Sequence, residues 1–226
     1  MIAVMSDDWS AQLWSTITDT YDAILAHPFL DGLTSGTLAA EAFTYYIAQD
    51  AHYLGDYARA LMVLGAKAPS HADAGMFARH AAGTVEVERA LHSTLLASLG
   101  VSAADLDAIP LAPTTQAYTS YLLAAAYGGS FAEGLAAVLP CYWIYESVGK
   151  ALLVQGSPEP RYQRWINTYA GAAFAATVAE VLALTDRVGE TLSPDEAGRA
   201  GAQFEQTARY EWMFWDAAWR CEAWPI

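Results

Sequence analysis

From Asp7 to His27 the apolar positions Trp9, Leu13, Ile17, Tyr21, Ile24 and Leu25 recur at helical spacing, which predicts an amphipathic helix closed by His27-Pro28. Pro28 to Thr37, with Gly32 and Gly36, reads as a turn-rich passage. Helical periodicity resumes in AAEAFTYYIAQDAHYLGDYARALMVLGAKA and holds to about Leu64. Ser70 with Asp73 resembles a capping box, opening a helix that Gly100 stops after about Leu99. A broken piece, SAADLDAIPLAP, precedes a helix from about Thr114 to Tyr127. Ser130 and Glu133 form a second capping box, and the helix it starts runs to Leu153 through Pro140. That proline removes a backbone donor, so a kink or an opened turn is expected there. After QGSPEP the chain reads as helical with an irregularity at Asn167 to Gly171. Ser193-Pro194-Asp195-Glu196 caps a last helix ending near Trp224.

No stretch alternates with period two, no repeat recurs and no low-complexity linker divides the chain. The expectation is one all-α domain over residues 1–226, a compact multi-helix bundle of seven or eight helices with any small-molecule pocket between facing helices.

Composition narrows the function. Eleven Lys and Arg against 25 Asp and Glu give a formal charge of −14, which disfavours nucleic acid and anionic membrane surfaces as partners. The beginning lacks a basic region followed by an apolar run, and no later stretch has 18 uninterrupted apolar residues, so a soluble, cytoplasmic protein is expected. Two cysteines make no disulfide framework and read as free thiols.

Three helical stretches carry a reactive or ionisable group among aromatics. Cys141 follows Pro140 directly and precedes Tyr142, Trp143 and Tyr145, with Tyr145 on its own helical face. Asp50 has Tyr46 and Tyr53 on one side of its helix. Glu211 lies in RYEWMFWDAAW, and burial there would favour its neutral form and suit it to moving protons. Each also has a plain alternative: a buried structural thiol at Cys141, a solvated carboxylate at Asp50, and surface pairing of Glu211 with Arg209 or Arg220.

HPFLDGLTSGTL, FTYYIAQDAHYL, LPCYWIYESVG and YEWMFWDAAWR, in that order and spacing, resemble the TenA, or thiaminase II, family, and Pro-Cys-x-x-x-Tyr resembles its cysteine-containing branch. The resemblance implies a haem-oxygenase-like helical fold, a homotetramer, and no metal or organic cofactor. It implies hydrolysis of 4-amino-5-aminomethyl-2-methylpyrimidine, its N-formyl form or thiamine. By motif, Cys141 is similar to the family's nucleophile, Glu211 to its acid/base and Asp50 to the residue holding the pyrimidine's amidine edge. Tyr53, Tyr118, Tyr145 and Tyr169 are similar to the pocket tyrosines, with Tyr121 a competitor for the place of Tyr118. Lys150 lies nine residues beyond Cys141, so no cation is adjacent in sequence to ionise the thiol, and proton transfer to Glu211 is the expected route.

Two rival readings are a di-metal oxygenase and a non-catalytic pyrimidine- or haem-binding protein. The first needs Glu-x-x-His pairs, and none of the five histidines has an acid three residues away. For the second, His27 is the candidate axial ligand, although its place before a proline suits a helix end. Cys221, between Arg220 and Glu222, reads as incidental.

Overall fold

The computed structural model describes residues 8–90 and 108–226, with side chains at 87–90 left aside. The expected end of the third helix near Leu99 and the first half of the broken piece after it lie outside the described residues. Ten helices are present among those described: α1 (Trp9–Ser15), α2 (Thr18–Leu25), α3 (Pro28–Ser35), α4 (Ala40–Lys67), α5 (His71–Ala90), α6 (Pro113–Gly128), α7 (Phe131–Leu153), α8 (Pro160–Tyr169), α9 (Ala172–Gly189) and α10 (Pro194–Arg220). No strand occurs among the described residues. The all-α expectation holds, and the helix number exceeds the seven or eight expected.

Two differences account for the excess. The first periodic stretch is not one helix, because hydroxyl side chains take its carbonyls at the middle: Ser15 Oγ donates to Gln12 O at 2.6 Å and Thr16 Oγ1 to Leu13 O at 2.8 Å. The amides of Thr16 and Ile17 then close tight bonds three residues back, and α1 gives way to α2 while Leu13 and Ile17 both stay buried. Second, Pro28 to Ser35 is a helix rather than turns. His27 caps it, accepting from the Phe29 amide at Nδ1 (3.2 Å), Pro28 occupies the first turn, and Gly36 ends it at φ 74°, a conformation that glycine adopts without strain. The expected irregularity at Asn167 to Gly171 is the break between α8 and α9.

The centre of the molecule is α7. Its residues are apolar around most of its circumference, so it can be stable only when surrounded, and it packs against α4, α6, α8, α9 and α10. Both halves of its capping box form, Ser130 Oγ accepting from the Glu133 amide and Glu133 Oε2 from the Ser130 amide. Residues 131–153 stay helical through Pro140, so the expected opened turn is absent. A side chain at Gly149 would lie 2.7 Å from the Ala170 amide and Tyr169 carbonyl carbon, which is why α7 can meet the α8–α9 junction so closely. The segment Pro160–Gly189 has the length and apolar composition of a membrane span, but it is two helices separated at Ala170 and Gly171.

Candidate active site

Burial sorts the candidates first. Asp50 on α4 is 4% exposed and Glu211 on α10 is 1% exposed, so neither is a solvated surface acid. The cations once available to Glu211 are engaged elsewhere, Arg209 with Glu205 and Arg220 with Asp216. Cys141 is half-buried on α7.

A cavity of about 450 Å³ opens between α4, α5, α7, α8 and α9. Asp50, Cys141, Tyr145 and Tyr169 line it, so three helices remote in sequence bring four of the candidate residues together. Tyr145 and Tyr169 form a wall with ring centroids 4.8 Å apart. Glu211, Tyr53 and Tyr118 are not part of that lining; they form a layer behind it. Tyr118 donates to Glu211 Oε1 at 2.6 Å, and its ring lies 4.9 Å from that of Tyr53. Tyr121 bonds instead to Gln203 at 2.7 Å, so of the two tyrosines it is Tyr118 that meets Glu211.

The electrostatics follow from dryness. Burial pushes the Glu211 carboxyl up to about 8, helped by the charge of Asp50 and opposed by the Tyr118 hydrogen bond. Burial, and then the negative charges of Glu211 and Asp50, push the Cys141 thiol well above its ordinary range, while the Tyr53 and Tyr57 hydroxyls pull it down. Both the expected nucleophile and the expected acid/base are therefore protonated at rest near neutral pH. Lys150 takes no part, being paired with Glu146 at 2.6 Å. Among the described residues the buried Tyr53 hydroxyl has no nitrogen or oxygen partner, so the Cys141 sulfur it faces, or a ligand, is what it has to donate to.

Several lining residues escaped the sequence reading. Tyr57 continues the stripe of Asp50 and Tyr53 along α4 and was legible from spacing alone; its hydroxyl donates to the Val138 carbonyl at 3.0 Å, one turn before Cys141. At the open end, His80 on α5 meets the Tyr142 hydroxyl at 3.1 Å through Nδ1 and lies 3.5 Å from Glu180 on α9 through Nε2. Arg79 completes the group, 3.0 Å from Glu180. No sequence signal links α5 to α9. His27 does not fit the haem role: it is 4% exposed, its Nδ1 caps α3, and its Nε2 faces Asp216 at 3.7 Å. Among the described residues no three His, Cys, Asp or Glu side chains are grouped to hold a metal ion.

Comparisons with known proteins bear on the family and the fold. The sequence model of the TENA/THI-4/PQQC family matches residues 14–221. The aminopyrimidine aminohydrolase of Bacillus subtilis (strain 168) is 36% identical over 216 residues, spanning 96% of this chain and 92% of that protein. A solved TenA homologue protein from P. horikoshii OT3 superposes with a TM-score of 0.87 at 29% identity, covering 94% of this chain and 99% of its own. A domain of unknown function from Shewanella denitrificans OS217, described as having a heme oxygenase-like fold, gives a TM-score of 0.74 at 18% identity over 93% of this chain and 92% of its own, which bears on fold alone. The helical bundle is thus of the haem-oxygenase-like kind expected, and the chain belongs to the TENA/THI-4/PQQC family.

Proposed function

We propose that this chain is a hydrolase of aminopyrimidines, converting 4-amino-5-aminomethyl-2-methylpyrimidine to the hydroxymethyl compound and ammonia, and cleaving thiamine at the same methylene, in thiamine salvage. The observation that carries it is the meeting of Asp50 and Cys141 in one aromatic-lined cavity with the neutral Glu211 carboxyl directly behind. The amidine edge of the pyrimidine lies on the Asp50 carboxylate, and its faces pack on Tyr145 and Tyr169. Glu211, in its ionised fraction, takes the thiol proton. The Cys141 thiolate adds to the ring, the ring electrons move toward the methylene, and the C–N bond breaks with its pair on nitrogen. Glu211 returns the proton to the departing amine, then takes one from water as the hydroxide adds to the methylene and the thiolate leaves. Tyr118 holds the Glu211 carboxyl in place throughout, and Tyr53 steadies the sulfur.

No step in this sequence calls for a metal or an organic cofactor. Residues 1–226 act as one domain in this reading, in the cytoplasm, assembled as a homotetramer without nucleic-acid or membrane partners. An exposed alanine face on α9, at Ala172, Ala176, Ala179 and Ala183, supports close packing between copies. Light scattering should then report four times 24.3 kDa, and a monomer at all concentrations would remove the assembly.

The decisive test is ammonia release from the aminomethylpyrimidine by purified protein beside Cys141→Ala. Release that disappears in the folded variant is the expected result. A folded wild-type protein that releases nothing from this compound and does not cleave thiamine would overturn the enzyme reading.

A further inference from the structure

The first turn of α6 has no cap of its own. Ala112 precedes it and offers no side-chain acceptor, so the Thr114 amide needs one from elsewhere in the chain. Glu222, beyond the end of α10, supplies it: Oε2 accepts from the Thr114 amide at 2.9 Å and Oε1 from the Thr114 hydroxyl at 3.1 Å. Cys221 brings it there, since its φ of 46° lies in the left-handed region and turns the chain out of α10. The Tyr45 hydroxyl then donates to the Glu222 carbonyl at 2.6 Å and fastens the turned chain to α4. The approach to α6 is held in the same manner. Buried Gln49, next to Asp50, accepts from the Ala112 amide at 3.0 Å and donates to the Pro110 carbonyl at 2.9 Å, and Trp224 donates to the Leu111 carbonyl at 2.9 Å.

Thr114 and Tyr118 are one turn apart on one face of α6, so whatever places the first also places the second. Tyr118 meets the Glu211 carboxyl at 2.6 Å in the dry core. We propose that Glu222 is a positioning residue for the Glu211 carboxyl, acting through the first turn of α6 and the Tyr118 hydroxyl. The use of Glu211 to move protons rests on the aminopyrimidine reading; the linkage from Glu222 to Glu211 does not. A carboxylate at a helix N-terminus satisfies its amides and complements its dipole, so Glu222 fixes α6 along its own axis. Besides Tyr118, the groups that face Glu211 are Asp50 and Tyr53 from α4, Cys141 and Tyr145 from α7, and Tyr169 from α8. Of all these only Tyr118 is carried by α6.

The test reads the Glu211 carboxyl without substrate. Stability in urea is followed against pH for each protein and for the same protein carrying Glu211→Gln. The pH at which their difference levels off gives the value of the carboxyl in the fold, about 8 in the wild type. Glu222→Ala should raise it by about half a pH unit, because a carboxyl that loses a donor is more easily protonated. Loss of the Glu222 charge acts in the opposite direction, so a rise reports position and not charge. Glu222→Gln keeps an oxygen for the Thr114 amide and should restore the wild-type value to within about 0.2 unit. Thr114→Val removes the hydroxyl contact alone and should raise the value by less than Glu222→Ala does. In a Tyr118→Phe background Glu222→Ala should add nothing. Lower stability with an unchanged Glu211 value in both the Glu222→Ala and Thr114→Val proteins overturns the positioning role, as does the same rise with and without the Tyr118 hydroxyl. The ammonia-release assay, which uses none of these readouts, decides the aminopyrimidine reading separately.

Discussion

Replacing Glu211 by glutamine should change how stability depends on pH, independently of any activity. The carboxyl titrates near 4.5 when unstructured and at about 8 in the fold, with burial as the main cause. A raised folded value means that the native state keeps a proton the unfolded chain releases, so this group's contribution is fully present below 4.5 and is lost as pH rises toward 8. At ~1.4 kcal/mol per unit, the whole difference is about 5 kcal/mol, of which about 3–4 falls between about pH 5 and about pH 8. Glutamine occupies nearly the same volume, can still accept from Tyr118, and has nothing to ionise. Wild-type stability measured by urea unfolding should therefore fall relative to Glu211→Gln by about 3–4 kcal/mol over that interval, then run parallel to it above about pH 9. Every other titrating group is common to both proteins, so the difference curve isolates this carboxyl. Parallel curves from acid to alkali would mean that Glu211 is ionised in the fold, and the account of the site as a neutral pair would be wrong.

The same neutral pair predicts that kcat/KM rises with pH and levels above about 8, whereas kcat levels at lower pH. Tyr118→Phe removes the 2.6 Å bond that opposes protonation of Glu211, so the kcat/KM limb should move upward by about one unit; a limb that stays in place would show that another group titrates there. Gly149→Ala forces a methyl group to within 2.7 Å of the Ala170 amide and 2.8 Å of Tyr169 Cβ. It should cost about 1–3 kcal/mol in urea unfolding and weaken pyrimidine binding by displacing Tyr169, and wild-type values of both would refute the close packing of α7 on that junction.

Much of the fold is legible because helix starts are written locally. Ser130 with Glu133 and Ser193 with Glu196 satisfy one another's backbone groups within a single turn, and both boxes form as expected. The α1–α2 break escapes the periodicity because Leu13 and Ile17 keep to the buried side while the backbone between them tightens. α3 escapes for another reason: its proline and terminal glycine are turn formers by composition, and the same residues serve equally as the first turn and the end of a helix. At the site, Asp50, Cys141 and Glu211 are conspicuous because reactive side chains amid aromatics are costly. The rim of His80 and Glu180 is not, since each is an ordinary polar residue on its own helix. Their meaning arises only where α5 and α9 face one another across the cavity.

Under the proposed mechanism, a site in which Cys141 and Glu211 both rest as neutral groups needs something to release them, and Asp50 is the group assigned to do so. Its negative charge is one of the causes that raise Glu211 and Cys141 alike. A pyrimidine protonated on the ring nitrogen cancels that charge when its amidine edge lies on the carboxylate. Both neighbours then lose the same repulsion, and the anion they share becomes easier to form. Binding energy at the buried end of the ring is thereby converted into thiolate at the reacting carbon, and only while the ring is in place. This is why the kcat limb should lie below the kcat/KM limb: the former reports the occupied site and the latter the empty one. Burial alone would leave Cys141 inert, and in the proposed mechanism it is the ligand's own charge that completes the electrostatics of the site.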